Sequence, residues 1–357
     1  MKIEQDAAEI VAGVRLGETL GSPIAFLVWN RDWENWKSAM AAEALADTSE
    51  AQRKSVHLPR PGHADLVGVL KYDRTDARDI LERASARETT ARVGAGAIAR
   101  RLLAEFGITI GSHVVMLGGI EAERPDPLPD DLNAAADASV VRTLDAAAEQ
   151  RMIERIDAAR LAGDTLGGSF EVVARGLPVG LGSHVSWDRK LDGRLAQAMM
   201  SIQAMKGVEI GMGFEASRRP GSRVHDEIER APERARTGGF RRTSNNAGGL
   251  EGGVTSGEPL VVRVAMKPLS TLMKPLKSVD LRTGDVAQAV RERSDVIALA
   301  AAGVVGEAMM AIVLADAMLE KFGGDSLGEM KRNFEAYVRQ LERRSAALAA
   351  APDIKSD

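Results

Sequence analysis

Cysteine is absent from all 357 residues. That excludes a disulfide framework, a zinc–thiolate centre and a cysteine nucleophile, and it fits a reducing compartment. Aromatic residues are scarce at 4%, with only two tyrosines, so aliphatic side chains must supply the core of a chain long enough to bury a large one. Long apolar runs are missing as well. The stretch at 304–314 is broken by Gly306 and Glu307 and falls short of a bilayer span, and no signal-peptide core opens the sequence. Charge is nearly balanced, at −4 net, so a strong cationic field can exist only locally and a nonspecific nucleic-acid binder is not expected. These features predict a cytoplasmic protein without nucleic-acid or membrane partners.

What is present begins with Arg83-Ala84-Ser85-Ala86-Arg87-Glu88, where Ser85 and Glu88 have capping-box spacing beside two arginines. A helix start exposes unpaired N–H groups and the positive end of the macrodipole, so this spacing reads either as an anion site or as a plain cap by Ser85 beside solvated arginines. In the helix that follows, Ala91, Gly94, Ala95 and Ile98 share one thin face, and Gly94 and Gly96 favour close backbone approach over helix propensity.

Strands are expected at 11–13, 24–29, 108–120, 169–175, 208–211 and 260–266, and helices at 150–161, 188–205, 304–322 and 327–348. Residues 218–257, rich in Gly, Arg, Asn and Ser, read as a long functional loop. No Pro- or Ser-rich linker divides the chain, which predicts one domain over 1–350 and a frayed tail at 351–357. Two Ser-His pairs, Ser112-His113 and Ser183-His184, lie within similar tetrapeptides. Neighbours on a strand point to opposite faces, so neither can be a nucleophile–base pair. The histidines and carboxylates show no metal-ligand spacing, and no metal is expected.

Seven segments stand in an order that identifies a family resemblance. They are Arg60-Pro61-Gly62-His63-Ala64-Asp65, the stretch from Arg83 to Arg101, Gly176-Leu177-Pro178-Val179-Gly180, the stretch from Met200 to Gly211, Ser244-Asn245-Asn246 through Gly253, Met266-Lys267-Pro268-Leu269-Ser270-Thr271, and Arg293-Ser294-Asp295. Together they closely resemble chorismate synthase, from Lys2 to about Gly328. The resemblance implies an α+β fold, a β-α-β sandwich with helices packed between antiparallel sheets, in a cytoplasmic homotetramer. It implies a lyase that converts 5-enolpyruvylshikimate 3-phosphate into chorismate and phosphate, with reduced FMN and no net redox change.

Carried onto this sequence, the resemblance assigns catalytic roles to His63, Asp295 and Ser85. Flavin contacts fall on Arg83, Ala84, Ser85, Gln203, Ala204, Gly252, Lys267, Pro268, Leu269, Ser270, Thr271 and Arg293. The substrate carries two carboxylates and a phosphate, groups that arginine forks bind bidentately, which makes Arg60 and Arg293 its expected partners. Asn246 stands where relatives often have a larger basic side chain, and Leu269 where a hydroxyl residue is common. No dinucleotide fingerprint is present, so an external flavin reductase is expected to supply the reduced cofactor. The family also has a strand and a G-E-S-H-G motif ahead of the point where this chain opens, hence the expectation that Met1 is an internal methionine of a longer reading frame. The alternatives are a flavin-binding oligomeric scaffold without catalysis, and an RNA-binding protein using the arginines of 218–242, where only Phe214 and Phe240 could stack on bases.

Overall fold

A computed structural model of the chain describes residues 6–350 apart from Arg293. The expected tail at 351–357 and Arg293 itself lie outside the described residues. Helices and antiparallel strands alternate irregularly along the chain, giving the expected α+β class. The chain forms two compact units, each assembled from three separate stretches.

One unit takes the described residues as far as Gly94, with Met152–Gly167 and Lys267–Ala298. It contains the antiparallel pair Ala8–Ala12 and Ala25–Val28 and two short helices, Asp65–Tyr72 and Arg78–Ala84. Gly68 lets those helices meet, since a Cβ there would lie 2.5 Å from Ile80 Cγ2. Their contact is continuous with a small core of Val56, Val69, Ala77 and Leu81, closed by Ile80, Leu281 and Val290. Connecting segments do much of the positioning here. Leu281 and Val290 donate their backbone N–H groups to the carbonyls of His57 and Leu58, which ties 281–290 to the strip leading into Arg60.

The other unit comprises Ala95–Arg151, Gly168–Met266 and the described residues from Leu299 on. Its centre is a five-stranded antiparallel sheet in the order Ile120–Glu121, Thr109–Leu117, Gly168–Arg175, Leu260–Met266, Met205–Ile210. The middle strand, Gly168–Arg175, is buried on both faces. On one face Phe170 and Val172 receive the long helix Leu299–Phe322, whose Gly303 and Gly306 leave room for Ser112 and Phe170. On the other, Val173 and Val261 pack with Leu132, and Leu128 and Leu144 complete the cluster.

The helix Leu299–Phe322 is longer than the apolar run suggested, and by length and composition alone it could cross a bilayer. Two thirds of its apolar window is nevertheless buried inside the protein, as in the core helix of a globular fold. Inside it, Glu307 is 1% exposed and accepts from Arg100, Ser112, Asn133 and Arg142, so this buried carboxylate is surrounded by donors. The tetrapeptide with Ser112 and His113 behaves as strand alternation requires: Ser112 Oγ donates to Glu307, while His113 lies opposite Glu171. The other tetrapeptide is not on a strand. Ser183 Oγ accepts from Val185 N in a turn.

Residues 218–257 are less loop-like than expected. They carry two small hairpins, Ile228–Arg230 with Phe240–Arg242 and Leu250–Glu251 with Val254–Thr255. Their arginines are largely matched by local carboxylates, among them Arg234 with Glu258, Arg241 with Glu229 and Arg242 with Glu251.

Candidate active site

The segment Arg60-Pro61-Gly62-His63 is a tight turn. Pro61 presets its own φ, Gly62 takes φ +78°, and His63 N donates to Arg60 O at 3.2 Å. The turn folds His63 back beside the Arg60 guanidinium, with Nη2 3.1 Å from His63 Nδ1. Two residues later Asp65 opens the helix Asp65–Tyr72, where a carboxylate suits the positive end of the helix.

Asp65 is fully buried and Arg60 is 8% exposed. Asp65 Oδ2 accepts from Arg60 N and Nε, both at 2.9 Å, and Oδ1 from Arg60 Nη2 at 3.1 Å and His63 Nδ1 at 2.5 Å. Burial alone would raise the Asp65 carboxyl, but the donors on His63 and Arg60 outweigh it and hold the group well below the usual carboxylate range. Asp65 is therefore an anion at neutral pH. His63 keeps a fifth of its side chain exposed.

A second loop, 267–271, closes against this turn. Lys267 Nζ donates to Gly62 O at 2.9 Å and to Ser270 Oγ at 2.8 Å, and Ser270 Oγ donates to Gly62 O at 2.9 Å. Arg60 Nη1 reaches Thr271 Oγ1 at 2.8 Å. Thr271 in turn lines a cavity of about 380 Å³ together with Asp295, Ser294, Thr165, Asp164 and Arg160. The two loops thus join His63, Asp65, Arg60 and Thr271 in one hydrogen-bonded chain that ends at the cavity holding Asp295. Thr165 Oγ1 donates to Leu269 O at 2.7 Å, so that carbonyl has a protein partner.

Arg83 and Ala84 line another cavity in the same unit, of about 570 Å³, with Lys71, Tyr72, Arg74 and Ala64. Two details differ from the sequence expectation. Arg83 sits in the last turn of Arg78–Ala84, at the negative end of that helix, and not at the mouth of the next one. Arg87 is bound to Asp6 at 2.6 Å and to Trp29 O at 3.0 Å. Ser85 does cap, accepting from Arg87 N at 3.2 Å, and a single 3-10 turn separates it from the helix Thr89–Ala104.

Arg60 also departs from expectation. Its fork engages Asp65, so its charge is matched there and it is not an open bidentate clamp. Arg293, expected to bind both substrate and flavin, lies outside the described residues. Gln203 and Ala204 belong to the other unit, in the turn between the helix Leu191–Met200 and the strand Met205–Ile210, where Ala204 takes φ +69°. Gly252 and Gly253, at φ +60° and +85°, form the two-residue turn of the hairpin Leu250–Glu251 and Val254–Thr255, the geometry that favours glycine at both positions. A Cβ at Gly252 would meet only His184 Cβ, at 3.7 Å, so its outer side is open.

The residues present fit a phosphorylated flavin by their chemistry. Lys71, Arg74 and Arg83 line a cavity beside Tyr72, with Asp79 3.7 Å from Arg74, and Lys267 and Ser270 carry the cationic and hydroxyl groups that suit carbonyl or phosphate oxygens. Sequence reasoning passed over Asp65 and Thr165. Asp65 could have been found from its place two residues after a candidate proton donor, whereas Thr165 comes from a distant stretch and carried no signal.

A profile described as chorismate synthase matches residues 1–319. A chorismate synthase of Geobacter sulfurreducens is 57% identical over 344 residues, covering 96% of this chain and 87% of that protein. One from Aquifex aeolicus is 54% identical over 351 residues, covering 96% and 86%. A crystal structure titled as chorismate synthase superposes with a TM-score of 0.73 at 45% identity, covering 95% of this chain and 86% of the solved one.

Proposed function

The chain belongs to the chorismate synthase family, and on that premise we propose that it eliminates phosphate from 5-enolpyruvylshikimate 3-phosphate to form chorismate, as a carbon–oxygen lyase using reduced FMN. The observation that carries the site is the chain of contacts from His63 through Asp65 and Arg60 to Thr271, at the edge of the cavity that holds Asp295. Reduced flavin, when bound, would supply electron density that helps expel phosphate, with no net redox change.

The protein's own tasks follow from the reaction. His63, hydrogen-bonded through Nδ1 and partly exposed, donates a proton from its other nitrogen to the departing phosphate or to the flavin. Arg60, paired with buried Asp65, reaches the substrate side through its contact with Thr271, and Arg293 is the proposed clamp for a substrate carboxylate or phosphate. Asp295, exposed in its cavity, handles the proton released from the ring. Lys267 and Ser270 bind flavin oxygens, with Arg83, Ala84, Ser85, Pro268, Leu269 and Thr271 contributing side-chain or backbone contacts. Gln203, Ala204 and Gly252 are further proposed flavin contacts. Ser85 acts by ordering the turn it caps.

We also propose a cytoplasmic homotetramer served by an external flavin reductase, and one folding domain over 1–350, because neither compact unit is a continuous piece of chain. The test is an anaerobic incubation of the protein with chemically reduced FMN and the phosphorylated substrate. Chorismate and phosphate should appear in equal amounts. Flavin binding without chorismate would support the scaffold reading instead.

A further inference from the structure

We infer that Asp65 is a positioning residue of the reaction: it fixes the proton of His63 on Nδ1 and offsets the Arg60 charge, leaving Nε2 as the atom that exchanges a proton. This rests on the reading of His63 as the proton donor.

The carboxylate of Asp65 meets four donors, two on each oxygen. An ionised carboxylate can only accept, so the ring nitrogen 2.5 Å from Oδ1 must be the one that carries hydrogen. Arg60 Nη2 lies 3.1 Å from Nδ1 and 3.4 Å from Nε2 of the same ring. A guanidinium that close repels a second positive charge on the imidazole. With Asp65 absent, Arg60 would donate to Nδ1 and hold the ring as a neutral acceptor, in the wrong tautomer for proton donation. With Asp65 ionised and buried, the Arg60 charge is matched and the ring can take up and release a proton at Nε2. A carboxylate that sets the tautomer of a catalytic histidine in this manner has a large effect on turnover and little on substrate affinity.

The experiment uses the full chain with reduced FMN, as wild type and as Asp65→Asn, which keeps the shape and removes the charge. Turnover should fall about 100-fold while KM for the phosphorylated substrate stays within about threefold. Nitrogen-15 spectra of histidine-labelled protein in alkaline buffer give the tautomer directly, with His63 assigned among the five histidines by the signal lost in His63→Gln. Wild type should show Nδ1–H, and Asp65→Asn should show Nε2–H. An Asp65→Asn protein that turns over within threefold of wild type overturns the inference, as does a wild-type His63 protonated on Nε2. If Asp65→Asn does not fold, the wild-type spectrum decides alone. If wild type makes no chorismate, the functional reading fails while the spectra still test the Asp65–His63 pair.

Discussion

Among the described residues, the histidine–carboxylate–arginine cluster around Asp65 and the one around Glu171 are built from the same groups for different ends. In one, Asp65 holds His63 and Arg60, all from six consecutive residues folded on a turn. In the other, Glu171 takes Arg263 at 2.8 Å and Arg124 at 3.0 Å, with His113 Nε2 3.3 Å away. Those groups lie far apart in sequence and meet because His113, Glu171 and Arg263 occupy one row across three paired strands. The His63 side chain is 20% exposed and the His113 side chain 2%. Pairing chemistry alone therefore does not separate the proposed proton donor His63 from His113. Access separates them, and access follows from whether the cluster sits on a loop or inside a sheet.

The strongest way to sharpen this contrast is to disrupt the two clusters separately and read activity and stability together. His63→Ala should lower turnover by about two to four orders of magnitude and also lower the unfolding midpoint, because buried Asp65 loses a donor. Anaerobic steady-state kinetics check this, and near-normal turnover would place His63 outside the chemistry. Glu171→Gln should lower stability and spare turnover. Burial raises the Glu171 carboxyl, but His113, Arg263 and Arg124 overcome that and hold it down to about 2. Losing those interactions costs about 3 kcal/mol, less whatever solvent screening removes at the two partly exposed arginines. Turnover per folded molecule should stay within about twofold, and urea unfolding with parallel assays measures both.

The same pair gives a pH signature of smaller size. A carboxyl whose folded value lies below its unfolded value adds stability that is complete above the unfolded value and is lost as pH falls through the folded one. For Glu171 that window runs from about 4.5 down to about 2. Asp65 is depressed as well and adds to the same acid-side loss. Stability should therefore decline as pH drops below 4.5, and Glu171→Gln should show a shallower decline than wild type. Equal slopes in acid titrations followed by circular dichroism would mean that Glu171 is not held ionised by its neighbours.

Much of the sheet was legible in the sequence, for a physical reason. The strand Leu260–Met266 occurs at the expected bounds and Gly168–Arg175 within one residue, because continuous β-branched and apolar runs flanked by turn residues have few other uses. Helix ends were less legible. The helix expected at 188–205 stops at Met200, since Ala204 turns left-handed and Met205 joins the sheet, and nothing in an alanine announces that conformation. The helix Asp65–Tyr72 escaped notice because its apolar residues do not form one buried stripe: Leu66, Val67, Leu70 and Tyr72 are all exposed while Gly68 and Val69 are buried. In the site, the motif from Arg60 to Asp65 was readable, yet its use was not. That Arg60 faces inward to Asp65 depends on the turn at Pro61-Gly62 and on the reach of Thr271 from the distant 267–271 loop.

The smallest effect is expected in the helix Thr89–Ala104, where two glycines predicted to allow close approach face different neighbours. A Cβ on Gly96 would lie 2.4 Å from Ala308 Cβ and 2.6 Å from Ala308 Cα, atoms that can move only with the core helix Leu299–Phe322. A Cβ on Gly94 would instead meet Phe26, 2.6 Å from Cε2, and a ring on a two-stranded hairpin can rotate or shift away. Alanine gains about 1 kcal/mol of helix propensity at either site. Overpacking against backbone typically costs 1–3 kcal/mol, so Gly96→Ala should be destabilised by about 1 kcal/mol net and Gly94→Ala by about half that or less. Thermal unfolding of the two variants side by side measures the difference. If Gly94→Ala proved the more damaging, the hairpin around Phe26 would be held as firmly as the sheet core, and the contrast between a loop-built region and a sheet-built one would fail at this point.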